Sequence, residues 1–414
     1  MFALLGALQA EPLGIEGTTT LIVGPAAAYI SIGAAVADAG PGDTVRVTAG
    51  TYREPTVVLD RRIILIGEPG AVLDGESKRG LIEISADSVT VTGFTLRNTG
   101  ISFTEDRAAI LVDRSQHCDI RDNVLEDTFF GIYLANSGGC RIVGNRLTAS
   151  AVRESRAGNG IHLWYSTGIT IANNTIQGHR DGIYFEFVED SEVRDNQSHG
   201  NVRYGLHFMF SDRCSYRSNT FADNGAGVAV MYTRDILMDG NDFRGNLGTA
   251  SFGLLLKDIT DSDILNNRFQ QNSVAIHAEG ANRVTVEGND FIQNGWAVKI
   301  MANSEASVVT GNNFVGNSFD VATNSRRSYS DFTGNYWDRY RGYDRDADGV
   351  GDVPFYPVRL FSLVVAQNEP ALVLQRSPLI MLLDIAEQVL PMLTPENLAD
   401  GRPSLTRLPT RWSS

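Results

Sequence analysis

His207 and Met209 stand two positions apart in the run GLHFMF at 205–210, and another thioether, Met231, follows in AVMYT at 229–233. Imidazole and thioether together form a soft ligand set, the kind that suits Cu(I). A second group of ligand types lies nearer the C-terminus. Asp344, Asp346, Asp348 and Asp352 fall in a short stretch with Gly349 and Gly351. Carboxylates at alternate positions, with glycines that let the loop turn, can wrap a hard cation such as Ca²⁺ or Mg²⁺. This is not an EF-hand, because the twelfth position counted from Asp344 is Phe355 rather than Glu. An acidic turn that merely closes the fold is the alternative.

These groups need elements to position them, and a repeat supplies the elements. Asn recurs at 123, 145, 174, 196, 219, 241, 267, 289, 312 and 335, with wider gaps after Asn145 and Asn241. A period of about 22 residues marks the turns of a solenoid, in which no unit can bury its apolar face alone. Three residues before each Asn lies an apolar or aromatic column from Ile120 to Phe332. Two residues after lies another from Leu125 to Trp337, with Ser198 as its polar exception. A third apolar column sits in runs such as GIYL at 131–134. Short strands of period two, three per turn, predict an all-β parallel β-helix over residues 20–337. Asn suits the corners because it tolerates left-handed backbone, and stacked amides can bond from coil to coil. The segment YISIGAAVADA at 29–39 predicts a short helix capping the first coil.

Alternation then assigns the third strand's outward side chains. One column reads Tyr133, His162, Tyr184, His207, Ala229, Leu255, His277 and Lys299. The next reads Ala135, Trp164, Glu186, Met209, Met231, Lys257, Glu279 and Met301. Thus His162, Trp164, Tyr184, Glu186, His207, Met209 and Met231 share one face, bounded by two insertions near 150–159 and 247–251. His207, Met209, Met231, Glu186 and His162 are the candidate copper face. Trp164 and Tyr184 are candidate partner contacts, since Met and aromatic side chains also make docking surfaces. Carbohydrate stacking on the two rings is a third reading.

The net charge of −14 argues against a nucleic-acid partner. Cys118, Cys140 and Cys214 each precede a ladder Asn by five positions, a slot that Ile169, Ser191 and Val284 fill in other coils. They read as inward packing residues, with a thiolate copper site as the alternative. Residues 1–19, beginning MFALLGALQA, resemble the end of a secretory leader without its basic start. After Trp337 the repeat stops, and 338–414 holds the acidic loop and an apolar tail. Ser377 and Pro378 resemble an N-cap and first helical residue. Leu379, Met381, Leu382, Ile385 and Leu390 then belong to an apolar helix too short to span a bilayer. It either folds back on the rod or docks on a partner or membrane surface. The final residues read as polar and unpacked.

The Asn-ladder coils, GLHFMF, the segment NYWDRYRGYDRDADGVGDVPFYP at 335–357 and the tail SPLIMLLDIAEQVLPMLTP at 377–395 together resemble the NosD family. The resemblance implies a right-handed parallel β-helix in the periplasm that is not itself an enzyme. It implies association with the ATPase and permease subunits of an ABC transporter. It further implies cooperation with a copper-chaperone lipoprotein in building the copper–sulfide centre of nitrous oxide reductase. The alternative class is a β-helix polysaccharide lyase, hydrolase or epimerase. That chemistry needs clustered acid/base groups, yet between Tyr184 and Met209 the outward face offers Glu186 alone, with Asp181 and Asp190 at strand ends.

Overall fold

The computed structural model describes residues 18–102, 105–324, 330–374, 377–389 and 398–413. Three parallel sheets run the length of the rod. The first has 14 strands, from Thr20–Val23 to Asp331–Thr333. The second has 13, from Gly50–Tyr52 to Tyr336–Trp337. The third has 12, from Val57–Leu59 to Phe319–Thr323. Each turn contributes one strand to each sheet, which is the predicted parallel β-helix. At ~4.8 Å per strand the rod is about 65 Å long.

The predicted columns are the core. Ile120, Ile142, Ile171 and Val193 stack inside the first sheet, and Leu125, Leu147 and Ile176 inside the second, all buried. Below them the second column becomes a pile of rings: Phe243, Phe269, Phe291, Phe314 and Trp337 stack with centroids 4.0–5.1 Å apart. Offset aromatic stacking adds to their burial. Cys118, Cys140 and Cys214 are buried, as their slot predicts, and burial pushes the Cys214 thiol up to about 12.

The Asn ladder is a continuous amide chain. Asn123 Nδ2 donates to Asn145 Oδ1 at 3.1 Å, and the contact repeats down to Asn312 and Asn335 at 3.0 Å. A second ladder, not anticipated, runs five positions behind the first through Asn201, Asn224, Asn246, Asn272, Asn294 and Asn317. It lies at the corner between the second-sheet and third-sheet strands of those coils, and so flanks the outward face on one side.

The capping helix covers Ile32–Asp38, with Ser31 as N-cap. The two insertions leave the rod as exposed loops, carrying Val152 and Leu247 on their surfaces. At the other end, the expectation of unpacked final residues is corrected. Residues 398–413 return along the rod, and buried Asp400 takes the place of the next ladder amide. Its Oδ2 accepts from Asn335 N at 3.0 Å and Trp337 Nε1 at 2.9 Å. Further up, Trp412 Nε1 donates to Asn266 O, and Arg268 lies over the Trp412 ring. A rod end with open backbone groups needs such a cover.

Candidate functional site

The register of the third sheet places the outward residues as alternation predicts. His162 pairs with Tyr184 and Trp164 with Glu186; Tyr184 pairs with His207 and Glu186 with Met209; Met209 pairs with Met231. Met209 and Met231 are therefore adjacent thioethers on neighbouring strands, both half-buried. Tyr184 ties the face together: its hydroxyl donates to Glu186 Oε2 at 3.1 Å and lies 3.8 Å from Met209 Sδ.

The two histidines of the candidate set are less open than the methionines. His162 is clasped between Tyr133 and Tyr184, with centroids at 4.4 and 4.7 Å, and its Nδ1 lies 2.9 Å from Asn159 Nδ2. Burial, helped by the charge of Arg180, pushes its pKa down to about 3, so the ring is neutral at any physiological pH. His207 is only 5% exposed. Its Nδ1 lies 3.3 Å from Arg203 Nη2, while Asp181 Oδ2 is 3.8 Å away. Nδ1 thus faces a donor, Arg203, and an acceptor, Asp181, and the tautomer of the ring sets which of the two it bonds. The buried Nε2 has no protein partner.

Asp181 explains how Arg203 is held. Its carboxylate is fully buried and receives Arg203 through two nitrogens, Nε at 2.8 Å and also Nη2. Burial pushes the Asp181 carboxyl up, but the Arg203 contacts and the charge of Arg180 outweigh it and hold it below the usual carboxylate range. The sequence signal was faint, because Asp181 and Arg203 lie a full coil apart at the starts of adjacent strands.

A second feature escaped sequence reasoning. Tyr165, Phe187, Phe210 and Tyr232 follow the outward column on four successive coils, each in left-handed backbone with φ between 46° and 57°. Asn136, Asp258 and Gly280, which tolerate that conformation, fill the same slot in flanking coils. The four rings stack with centroids 4.6–5.2 Å apart and tilts of 11–20°. Tyr165, Phe210 and Tyr232 are among the exposed apolar side chains. Bulky residues thus stand in strained backbone, exposed, on the coils that carry Trp164 and Met209. The recurrence of an aromatic once per coil was the available signal.

The acidic loop gathers three of its four candidates. Ligand oxygens of Asp344, Asp346 and Asp348 lie within 4.8 Å of one another. Asp352 instead accepts Arg345 N at 2.7 Å. The charge of Asp348 raises the Asp346 pKa, and backbone donors at Gly349 and Ala347 lower that of Asp344.

In the tail, a helix spans Pro378–Val389. Ile380 packs with Trp296, Phe319 and Phe361 against the last turns, while Leu379, Met381, Leu382 and Ile385 remain exposed. The helix both folds back and keeps an open apolar face. Leu390 lies outside the described residues, as do residues 1–17 of the expected leader.

Comparison with known proteins fits this architecture. A family model described as "Periplasmic copper-binding protein (NosD)" matches residues 143–342, and one for a right-handed β-helix region matches 75–174. A probable ABC transporter binding protein NosD of Pseudomonas aeruginosa is 31% identical over 93% of this chain and 96% of its own length. The chain belongs to the NosD family. A Stutzerimonas stutzeri protein of the same name is 29% identical over 88% of this chain and 87% of its own. Among solved structures, the Dettilon tailspike protein matches with a TM-score of 0.56 at 13% identity, over 71% of this chain and 65% of that one. That likeness concerns the fold alone. The solenoid is thus a right-handed parallel β-helix of a family described as periplasmic and copper-binding. Among the described residues, no helix is long and apolar enough to cross a membrane.

Proposed function

We propose that this NosD family member is a non-catalytic periplasmic subunit that receives copper for the copper–sulfide site of nitrous oxide reductase. In this reading a copper-chaperone lipoprotein delivers the metal. The apolar face of the tail docks on the permease of an ABC transporter whose ATPase subunit hydrolyses ATP. The names of the relatives support the transporter association.

The observation that carries the copper reading is the in-register thioether pair Met209–Met231, on a face bordered by exposed rings. Copper is cargo here, and it needs soft donors that release it again. The two methionines are the first contacts. His207 can join through Nε2 in the tautomer that carries the proton on Nδ1, towards Asp181. Glu186, in register beside Met209, is bonded to Tyr184, and His162 is enclosed by rings. The stacked rings from Tyr165 to Tyr232, with Trp164 and Tyr184, supply a docking surface for the chaperone. The test is competition for Cu(I) with a chromogenic chelator. Met209→Ala with Met231→Ala is expected to weaken retention at least ~10-fold, the effect of losing ~1.4 kcal/mol. Unchanged retention would exclude this face as the copper contact.

Between Tyr184 and Met231 the described residues of this face hold no accessible acid/base pair for the polysaccharide-enzyme alternative. Asp181 is buried and bound by Arg203, and Glu186 accepts from Tyr184. The Asp344–Asp346–Asp348 turn offers oxygen ligands for Ca²⁺ or Mg²⁺.

A further inference from the structure

The outward column that carries the thioethers continues past Met231 with Lys257 and Glu279. Lys257 pairs in register with Met231, as Glu186 does with Met209 on the other side. A carboxylate and an ammonium therefore bracket the thioether pair, each one strand away, ~4.8 Å along the rod. The two flanking groups differ in what they touch. Glu186 accepts from the Tyr184 hydroxyl at 3.1 Å. Lys257 is half-buried, and among the described residues its ammonium makes no hydrogen bond and no ion pair. Glu279, next in the column, does not bond it. The charge of Lys257 nonetheless reaches across the face. Burial and the charges of Lys299 and Lys257 lower the pKa of His277, against the pull of Glu279.

The residue type is uncommon in this chain. Lys78, Lys257 and Lys299 are the lysines among its 35 basic residues. Arginines instead tie coil to coil, as Arg213 does with Asp190, Arg234 with Asp212 and Arg283 with Asp261. Lysine presents a compact point charge in place of a planar fork. Left unpaired beside Met231, it acts on a bound ion through its field and makes no bond to it, since an ammonium only donates. Soft thioethers attract Cu(I), but a carrier must also let its cargo go. We infer that Lys257 sets the release of copper from the Met209–Met231 pair, its charge holding the affinity below what the thioethers and Glu186 alone would give. The inference rests on the reading of the two methionines as the copper contact. At roughly 8 Å from the ion, in surroundings between water and protein interior, one unit charge changes affinity about fivefold.

The test is competition between the full chain and a soluble chelator for Cu(I), with Ag(I) as a redox-inert second probe. Lys257→Gln removes the charge and keeps most of the side-chain length. Retention of both ions rises about fivefold at low ionic strength, and the rate of release to excess chelator falls by the same factor. Lys257→Arg keeps the charge and behaves as the parent. In sodium sulfate at an ionic strength of about 1 M, where the screening length is ~3 Å, the gain of the Gln variant shrinks below about twofold. Equal retention by the Gln variant and the parent overturns the inference. So does a gain that salt leaves unchanged or that Lys257→Arg shares, because either places the effect in packing. A fall in retention also overturns it, by making Lys257 part of the contact. Met209→Ala with Met231→Ala separates the two readings. Copper retention equal to the parent in that variant sinks the thioether reading. Loss of copper there, with Lys257→Gln matching the parent, sinks the role of Lys257 alone.

Discussion

Asp181→Ala tests whether the face of the rod is preorganised from beneath. The carboxylate is fully buried, receives Arg203 through two nitrogens and accepts Tyr204 N at 3.3 Å. Arg203 is itself largely buried, with 29% of its side chain exposed. Removing one partner of a buried pair leaves the other charge uncompensated, which costs ~3–5 kcal/mol. Residual access of Arg203 to water places the expected loss near the lower end, about 3 kcal/mol. Asp181→Asn keeps the shape and one acceptor, so it should cost about half as much. Urea unfolding followed by intrinsic fluorescence measures both, and Arg203 should lose its hold on His207 Nδ1. The pH dependence supplies a second readout. The folded-state pKa of Asp181 lies below its unfolded value of ~3.9. Its stabilisation is therefore present above pH ~4 and is lost as pH falls through the folded pKa. Asp181→Ala should flatten the stability curve in that acid range only. A loss under ~1 kcal/mol with an unchanged acid limb would refute the pairing as a structural anchor.

Asp400→Ala removes the acceptor for Asn335 N and Trp337 Nε1, while Asn335 Nδ2 keeps Val309 O; the two buried donors left unpaired should cost at least ~2 kcal/mol and fray the last coil in hydrogen exchange. Phe210→Asn trades the strain of left-handed backbone, ~1–2 kcal/mol, against lost stacking of ~0.5–1.5 kcal/mol. Its stability should stay within ~1 kcal/mol of the parent while chaperone binding falls, as a pull-down would report. Millimolar Ca²⁺ should raise the melting temperature relative to EDTA, and Asp346→Asn with Asp348→Asn should abolish the difference.

The repeat made most of the architecture legible. Alternation within a strand and a fixed coil period are local properties, so they assign inward and outward columns without any long-range information. That is why Met209 and Met231 could be placed side by side from sequence, and why the cysteines could be assigned to packing. The choice between a tail folded on the rod and a tail left open could not be made that way. Ile380 is buried and Leu382 exposed on one helix, and only the position of Trp296 and Phe319 distinguishes them.

Depth and partnership were decided by tertiary structure. An outward position in a strand says where a side chain leaves the backbone, not what covers it. His207 leaves outward and is nevertheless buried, because Tyr184, Tyr204 and Arg203 close over it from two coils. Asp400 reads as one acid in a polar tail, yet it completes an amide ladder that ends far earlier in the chain, at Asn335. The sequence by itself determined the coil, its corners and the face on which soft donors gather, since each follows from short-range alternation. Only the folded chain decided which of those donors stay accessible and which charges lie buried, because both depend on groups that meet across coils.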